Sequence, residues 1–194
     1  MNIIDRLKKN IDASIEAKNQ LLQDDSSLER FSEAVKVVAS QYKQGGRIYI
    51  AGNGGSAADA QHLAAEFVSK LARDRAPLPA EALTVDSSII TAIGNDYGFD
   101  LVFSRQLAGK ASAKDVFLGI TTSGNSLNIL KALEQCRSME VPTIVFCGHN
   151  GGKAKLMADH AIVVPGEATS TIQELHIVLA HTLCECVEVA IFGE

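Results

Sequence analysis

The sequence predicts an α/β fold, with a mostly parallel sheet flanked by helices on both faces and a helical extension at the N-terminus. From Arg47 onward, short apolar runs typical of strands alternate with segments of helical period, which is the pattern of βαβ units. The strongest runs are apolar throughout, as expected for strands that are covered on both faces. Two stretches with an apolar stripe precede the first strand, so the extension is predicted to be helical.

Composition fits a single domain over residues 1–194, with N-terminal helices in 1–45 and an α/β core with a long C-terminal helix in 46–194. Hydrophobic residues make up 46% and charged residues 21% of the chain, which is ordinary globular usage. A net charge of −5 lacks the basic footprint of a nucleic-acid binder. The first residues do not form a signal peptide, and no apolar stretch is expected to reach membrane length. We therefore expect a cytoplasmic protein that binds neither nucleic acid nor membranes.

The two N-terminal helices differ in what their apolar faces are predicted to cover. Ile4, Leu7, Ile11 and Ile15 recur at steps of three or four and form one stripe on the first helix. This stripe covers either the domain's own core or a partner subunit, and the second is favoured because the later α/β pattern is complete without it. The second helix, capped by Ser26-Ser27, is predicted to bury Leu28, Phe31, Ala34, Val37 and Val38.

The elements of the core follow in chain order. Strands are predicted at 47–51, 83–85, 115–120, 143–147 and 160–164, helices at 56–71, 87–93, 127–137 and 169–192, and a turn at 95–98. The carboxyl ends of parallel strands meet at one edge of the sheet, where ligands bind in open α/β folds. Two polar loops of this sequence follow such strand ends.

The first polar loop is the run Gly52-Asn53-Gly54-Gly55-Ser56. Glycines let the backbone turn tightly and approach a ligand, and the helix N-terminus that follows offers unpaired N–H groups and a partial positive charge. An anion such as a sugar phosphate suits that combination. The run is neither a G-x-G-x-x-G fingerprint nor a P-loop, so dinucleotides and nucleoside triphosphates are disfavoured. A plain strand-to-helix turn is the alternative.

The second polar loop, Thr121-Thr122-Ser123-Gly124-Asn125-Ser126, carries four hydroxyl groups in six residues. These hydroxyls and the backbone N–H groups could donate to phosphate oxygens, or they could simply cap the next helix. Two such loops at two strand ends favour phosphate binding. We expect Ser56, Ser123 and Ser126 to lie near one bound phosphate.

Two helices carry candidate chemical groups. His62 and Glu66 are four residues apart and share a helix face, although a solvated surface pair is the alternative. On the C-terminal helix, Gln173 and His181 lie on a shared flank, about 80° apart, although His181 could be a core histidine.

The same helix carries a cysteine pair. Cys184 and Cys186 stand one residue apart. We expect both to be buried reduced thiols rather than zinc ligands.

Taken together, these residues resemble the sugar isomerase (SIS) domain family and, within it, the phosphoheptose isomerases. The resemblance covers essentially the whole chain. Besides the N-terminal extension, it rests on the runs at 52–56, 59–66, 94–99, 122–126, 143–152 and 172–181. The sequence departs from the family at two places: Val68-Ser69-Lys70 stands where Thr-Gly-Arg is usual, and Ser170-Thr171 where Asp-Arg is common. Both bear on fine specificity.

The resemblance implies an aldose–ketose isomerase that converts sedoheptulose 7-phosphate to D-glycero-D-manno-heptose 7-phosphate. It implies a homotetramer with active sites at subunit interfaces, and a zinc ion held by His62, Glu66, Gln173 and His181. The residues implied to bind substrate are Asn53, Gly54, Gly55, Ser56, Glu66, Asn95, Asp96, Thr121, Thr122, Ser123, Ser126 and Gln173.

Isomerisation moves a proton between C1 and C2 through an enediol, which needs a base and a second proton-handling group. Glu66 is the candidate base and His181 the candidate acid, roles that compete with binding a metal. The alternative from another class is a non-catalytic SIS-domain binding protein, such as a partner of a replication initiator or a sugar-phosphate sensor. Such a protein has no need of the Glu66 and His181 pair.

Overall fold

The computed structural model describes residues 2–71 and 73–193, and its centre is a five-stranded parallel sheet. The strands are β1 (Ile48–Gly52), β2 (Ala80–Ala82), β3 (Val116–Thr121), β4 (Thr143–Cys147) and β5 (His160–Val163). Their order in the sheet is β2-β1-β3-β4-β5, and each neighbouring pair is parallel. The predicted α/β class with a parallel sheet is confirmed.

Within the described residues, eight α-helices surround the sheet. They are α1 (Ile3–Leu22), α2 (Asp25–Lys43), α3 (Gly55–Val68), α4 (Ser87–Tyr97), α5 (Ser104–Lys110), α6 (Leu127–Ser138), α7 (Ala154–Met157) and α8 (Thr169–Phe192), and a short 3-10 helix spans Phe99–Leu101. Sequence reasoning did not anticipate α5 and α7.

The helices cover both faces of the sheet. Successive side chains of each strand point to opposite faces, so each face is apolar and is buried in its own hydrophobic cluster. Ile48 and Ile50 of β1 belong to a cluster with residues of α1, α2, α3 and α8. Tyr49 and Ala51 belong to a second cluster with residues of α5, α6 and α7. The central strands β1, β3 and β4 are buried along their whole length, which explains their continuous apolar runs.

The sheet order reverses between β1 and β3. From β1 the chain crosses outward to β2, and it then returns to β3 on the other side of β1. In open α/β sheets the crevice at such a reversal, beyond the carboxyl ends of the strands, is the usual place for a ligand. Both predicted polar loops border this crevice, because one follows β1 and the other follows β3.

Helix α1 does not use its predicted apolar stripe to cover the core of its own chain. Helix α1 buries only Ser14, Ala17 and Leu21. The predicted stripe stays outside, with Ile4 58%, Leu7 59%, Ile11 49% and Ile15 52% exposed.

Helix α2 begins one turn earlier than predicted. Its cap is Asp24, whose side chain accepts the Ser27 N–H, because a carboxylate caps a helix as well as a serine does. Of its predicted buried face, Ala34 and Val38 are fully buried, whereas Leu28 is 38% exposed.

Helix α8 is the C-terminal helix predicted at 169–192. Among the described residues it alone is long and apolar enough to cross a membrane, with a mean hydropathy of 1.7, so the expectation that no stretch reaches that length was wrong. The cause is burial inside the protein. Residues such as Ile172, Leu175 and Leu183 belong to the core cluster on its side of the sheet. Cys184 is buried as expected, but Cys186 is exposed.

Two other predicted boundaries were wrong. The strand predicted at 83–85 is β2 at Ala80–Ala82, because the register with β1 places Ala80 opposite Ile48. The turn predicted at 95–98 is the end of α4, which continues to Tyr97. Asn95 and Asp96 take helical conformation, and the helix ends at Gly98, whose φ of 93° favours glycine.

Candidate active site

The site lies where α3 and α8 run side by side in the same direction. Near the start of both helices, a Cβ on Gly55 would overlap the side-chain amide of Gln173. Further along, the ring of His62 meets that of His181 edge to face, with centroids 5.0 Å apart. The glycine at position 55 therefore permits the close approach that brings the two helices into register.

Three of the predicted metal and catalytic residues form one cluster. The Nε2 atom of His62 lies 3.1 Å from Oε1 of Glu66 and 3.4 Å from Nε2 of His181. One ligand atom from each of the three residues lies within 4.8 Å of those of the other two. His181 therefore meets the partly exposed pair of His62 and Glu66 instead of lying apart from it in the core.

Gln173 occupies the same flank of α8, about 12 Å before His181 along the helix axis. Its amide lies against Gly55 rather than against the imidazoles. His176 lies elsewhere on α8. It is fully buried beside Phe146, with ring centroids 6.2 Å apart.

The donor set fits a zinc ion. Two imidazoles and a carboxylate are ligands that zinc takes in proteins, while a fourth amide ligand is unusual. The three side chains are partly accessible, with His62 47% and Glu66 21% exposed, so a small ligand can reach them. The separation of the three atoms would let them converge on one ion.

The glycine loop brings β1 to the N-terminus of α3. Gly54 takes a φ of 57°, a conformation that favours glycine, and no side chain caps the helix there. Ser56 is buried in the first turn. Gly54 and Gly55 are exposed, so the accessible groups there are backbone groups, which suits an anion site.

A residue that sequence reasoning missed holds the two polar loops together. Asn128 of α6 and Asn53 of the glycine loop exchange two amide hydrogen bonds, of 2.9 and 2.8 Å. Asn128 is buried. A polar side chain at the second position of a helix that follows a hydroxyl loop is the only sequence signal, and it is weak.

The hydroxyl loop is held by its own hydrogen bonds. Thr121 and Ser126 share a hydrogen bond of 3.1 Å between their hydroxyls, and Ser123 accepts the Asn125 N–H at 3.1 Å. Ser123 is exposed and Thr122 is half-buried. A Cβ on Gly124 would overlap the Gly151 carbonyl, so that glycine permits close packing between loops.

Two predicted substrate residues lie apart from the cluster. Asn95 and Asp96 are exposed in the last turn of α4, and the Asn95 amide donates to Asp96 at 2.7 Å. No described contact joins them to the α3–α8 cluster.

Asp59, one turn before His62, is a further carboxyl that sequence reasoning left without a role. Its Oδ2 atom is buried without a hydrogen-bond partner among the described residues. Burial raises the pKa of Asp59, and the nearby His62 partly opposes that rise.

The departures from the family pattern lie at the end of α3 and at the start of α8. Lys70 is exposed and pairs with Asp74 at 3.7 Å. Ser170 and Thr171 line a cavity at the start of α8, together with Arg6 and Lys9 of α1.

Comparisons with known proteins agree with this geometry. The family model described as the SIS domain matches residues 9–148. A phosphoheptose isomerase of Aneurinibacillus thermoaerophilus is 48% identical over 188 residues, covering 97% of this chain and 95% of the relative. Phosphoheptose isomerase 2 of Campylobacter jejuni is 46% identical over 193 residues, covering 100% of this chain and 96% of the relative.

A solved structure shares the fold across its length. The phosphoheptose isomerase of Neisseria gonorrhoeae superimposes with a TM-score of 0.90 at 39% identity, and covers 96% of this chain and 99% of its own. With the sequence relatives, this agreement over nearly the full length of both chains goes beyond a shared fold. The chain belongs to the SIS domain family and, within it, to the phosphoheptose isomerases.

Proposed function

We propose that the protein is an aldose–ketose isomerase that converts sedoheptulose 7-phosphate to D-glycero-D-manno-heptose 7-phosphate. The proposal rests on one observation, the cluster of His62, Glu66 and His181. The glycine loop and the hydroxyl loop, whose composition suits a phosphate, accompany this cluster. The relatives named above are isomerases, and none of them supports the alternative of a binding-only protein.

The reaction is redox-neutral, since a proton leaves C1 and one is delivered to C2 while the oxygen at C2 changes from carbonyl to hydroxyl. Glu66 takes the proton from C1 to form the enediol and returns it to C2. His181 supplies a proton to the carbonyl oxygen as it becomes a hydroxyl and accepts one from the C1 hydroxyl. Both groups belong to one cluster, so one bound sugar can meet both.

The two polar loops bind the phosphate. In the glycine loop, residues 53–55 offer backbone N–H groups, and Ser56 adds a hydroxyl at the start of α3. In the hydroxyl loop, Thr121, Thr122, Ser123 and Ser126 supply donors without adding charge. The amide pair between Asn53 and Asn128 supports this role, because it fixes one loop against the other.

Zinc is part of the proposal, with the clustered side chains of His62, Glu66 and His181 as ligands. Gln173 is the proposed fourth ligand, and its amide, which here lies against Gly55, would have to turn toward the cluster. The chemistry that zinc supplies when bound is Lewis-acid polarisation of the sugar carbonyl. A side chain that binds metal is a poorer proton carrier, so Glu66 and His181 cannot serve fully in both roles at once. Metal content and turnover therefore have to be measured on the same samples.

The proposed assembly is a homotetramer with active sites between subunits. Two exposed surfaces support it. The α1 stripe is apolar but half exposed or more, and α4, which carries Asn95 and Asp96, has no buried residue in the described chain. A partner subunit that covered α4 would bring its polar end into a shared site.

The proposed location is the cytoplasm, without nucleic acid or membrane partners. The net charge of −5 gives no basic footprint. Helix α8, the one helix of membrane length among the described residues, is apolar because part of it is buried in the hydrophobic core.

Turnover of sedoheptulose 7-phosphate, with metal analysis of the same purified protein, tests the proposal. Glu66→Gln keeps the size of the side chain but removes the base, so turnover is expected to fall by about 10²–10⁴-fold. If Glu66 also binds zinc, the same variant will hold less metal. Glu185→Gln, an exposed carboxyl on α8, is the matched control and is expected to keep normal turnover. Near-normal turnover by a folded Glu66→Gln variant would contradict the assignment.

A further inference from the structure

A second contact between the α3 region and α8 lies beyond the active-site cluster. Arg75, in the segment after α3, forms a buried ion pair with Glu188 of α8, with side chains only 4% and 3% exposed. The Oε1 atom of Glu188 accepts from Nη2 at 2.6 Å and from Nε at 2.8 Å. The Leu71 backbone N–H also points to that oxygen, at 3.4 Å.

The remaining N–H groups of Arg75 hold the end of α3. Nη2 donates to the Glu66 carbonyl at 2.9 Å, and Nη1 donates to the Phe67 carbonyl at 2.6 Å. The last carbonyls of a helix have no partner within it, and α3 has no basic residue in its last turn. Arg75 therefore caps the turn that carries Glu66, from outside the helix.

Glu188 stands seven residues after His181, which is about two turns, so both side chains project from the same side of α8. Cys184 lies between them, with its Sγ atom 3.9 Å from Oε1 of Glu188. Arg75 contacts both the Glu66 carbonyl and the Glu188 carboxylate, so it links the helix turn of the active-site carboxylate to the ion pair. The cluster and the ion pair form one continuous seam.

Stability alone does not account for such a pair. Two charges lose their hydration when they are buried, and a well-packed apolar pair of similar volume is often equally stable or more so. The arrangement does fix geometry. A planar guanidinium with several directed N–H groups is bound at once to the turn of Glu66 and to the helix of His181.

We propose that Arg75 and Glu188 are positioning residues, whose buried ion pair sets the separation of Glu66 on α3 from His181 on α8. Neither residue touches the substrate. The inference rests on the proposed function for its kinetic consequence, but not for its consequence for metal binding, because the same separation brings His62, Glu66 and His181 within reach of one ion.

The double variant Arg75→Met/Glu188→Leu tests this, because it removes both charges together and leaves no unpaired buried charge. We expect it to fold with a Tm near that of the unaltered protein. We also expect kcat to fall by about 10–100-fold, the usual cost of losing an outer-shell partner, with KM nearly unchanged because the phosphate loops lie elsewhere. Affinity for Co²⁺, titrated alone through its visible absorption, should fall about tenfold or more, with an altered spectrum.

The matched control is Glu81→Gln. Glu81 of β2 accepts from Lys110 of α5 at 2.6 Å, so this ion pair joins neither α3 nor α8 to another element, and its loss should leave kcat and the Co²⁺ titration unchanged. If the double variant is unfolded by circular dichroism, Glu188→Gln, which keeps the side-chain volume, decides with the same two readouts.

Unaltered kcat and Co²⁺ affinity in a folded variant, whatever its Tm, would overturn the proposal and leave the pair a purely structural role. If the unaltered protein itself fails to turn over the heptose phosphate, the proposed function fails. The Co²⁺ comparison would still decide whether the pair positions the cluster.

Discussion

The seam between α3 and α8 and the two outer helices α1 and α4 use apolar and polar residues in opposite ways. Along the seam, apolar side chains of α8 are buried in the core, and His181 and Glu188 have polar partners across it. On α1 and α4, apolar side chains such as Leu7, Ile11 and Tyr97 are about half exposed. The seam is complete within one chain, whereas the outer helices are not.

This difference divides the candidate site into two parts. His62, Glu66 and His181 come together without help from another subunit. Asn95 and Asp96, on the poorly covered α4, form their one side-chain hydrogen bond with each other among the described residues. A single chain therefore brings together the three candidate metal and proton-handling groups. Under the proposed function, a partner subunit would complete the part of the site that holds the sugar.

The largest expected effect is on subunit association through the apolar stripe of α1. Leu7→Asp/Ile11→Asp places two charges on the α1 stripe, where burying each side chain in an interface would contribute about 1.5–3 kcal/mol. We expect subunit association to weaken by about 10²–10⁴-fold, measured by sedimentation velocity over a range of protein concentrations.

Lys9→Asp, on the other side of α1, is the control and should leave association unchanged. A double variant that keeps the assembly of the unaltered protein would show that the stripe is not an interface. Because the stripe lies outside the core, the folded chain itself should survive.

The next prediction concerns His176, which is buried on α8. It tests whether water reaches this side chain in the folded protein. Burial lowers the pKa of His176 from 6.5 to about 4, and the backbone of Cys147 opposes this fall. The opposition is weak, because neither ring nitrogen has a partner at hydrogen-bonding distance among the described residues. Below about pH 6.5 the unfolded chain takes up a proton at His176 and the folded chain does not. The free energy of unfolding should therefore fall as the pH drops from 6.5 toward 4, by about 3 kcal/mol in total.

Urea unfolding at several pH values and one protein concentration measures this. His176→Phe removes the titrating group and should flatten the slope in that window. Equal slopes in both proteins would mean that His176 is hydrated or paired in the folded state.

The smallest expected effect is on kcat/KM and concerns the hydroxyl loop, which is formed within a single chain. Ser123→Ala removes an exposed hydroxyl from the hydroxyl loop, which should cost about 1.5–3 kcal/mol of transition-state binding if it donates to the phosphate, read as a loss in kcat/KM. Ser138→Ala, at the far end of α6, is the matched control. An unchanged kcat/KM for Ser123→Ala would remove this residue from the phosphate site.

Most of the fold could be predicted from the sequence because it is set by local patterns. The runs at β3 and β4 are continuous and apolar, and α8 is long and uninterrupted. The errors arose where tertiary contacts decide. Strand β2 is only three residues long and takes its register from β1. Helix α4 continues through Asn95 and Asp96 because only Gly98 breaks it.

The site was predictable to the extent that its residues carry distinctive chemistry. His62 and Glu66 share a helix face, which spacing reveals. Their meeting with His181, 119 positions away, followed from family resemblance and not from any local pattern. Asn128 and Arg75 were missed because a lone asparagine in a helix and a lone arginine in a loop look like surface residues until their partners are seen.

The position of α8 after the strands has a consequence for synthesis. The five strands of the described chain are complete by Val163, whereas His181 and Glu188 come only with α8. A chain that terminated before Thr169 could still form the sheet. It would lack part of the cluster and would leave a core face that α8 normally covers open to solvent, which favours aggregation. Activity in a preparation would thus report that translation had passed through α8 and that this helix had docked.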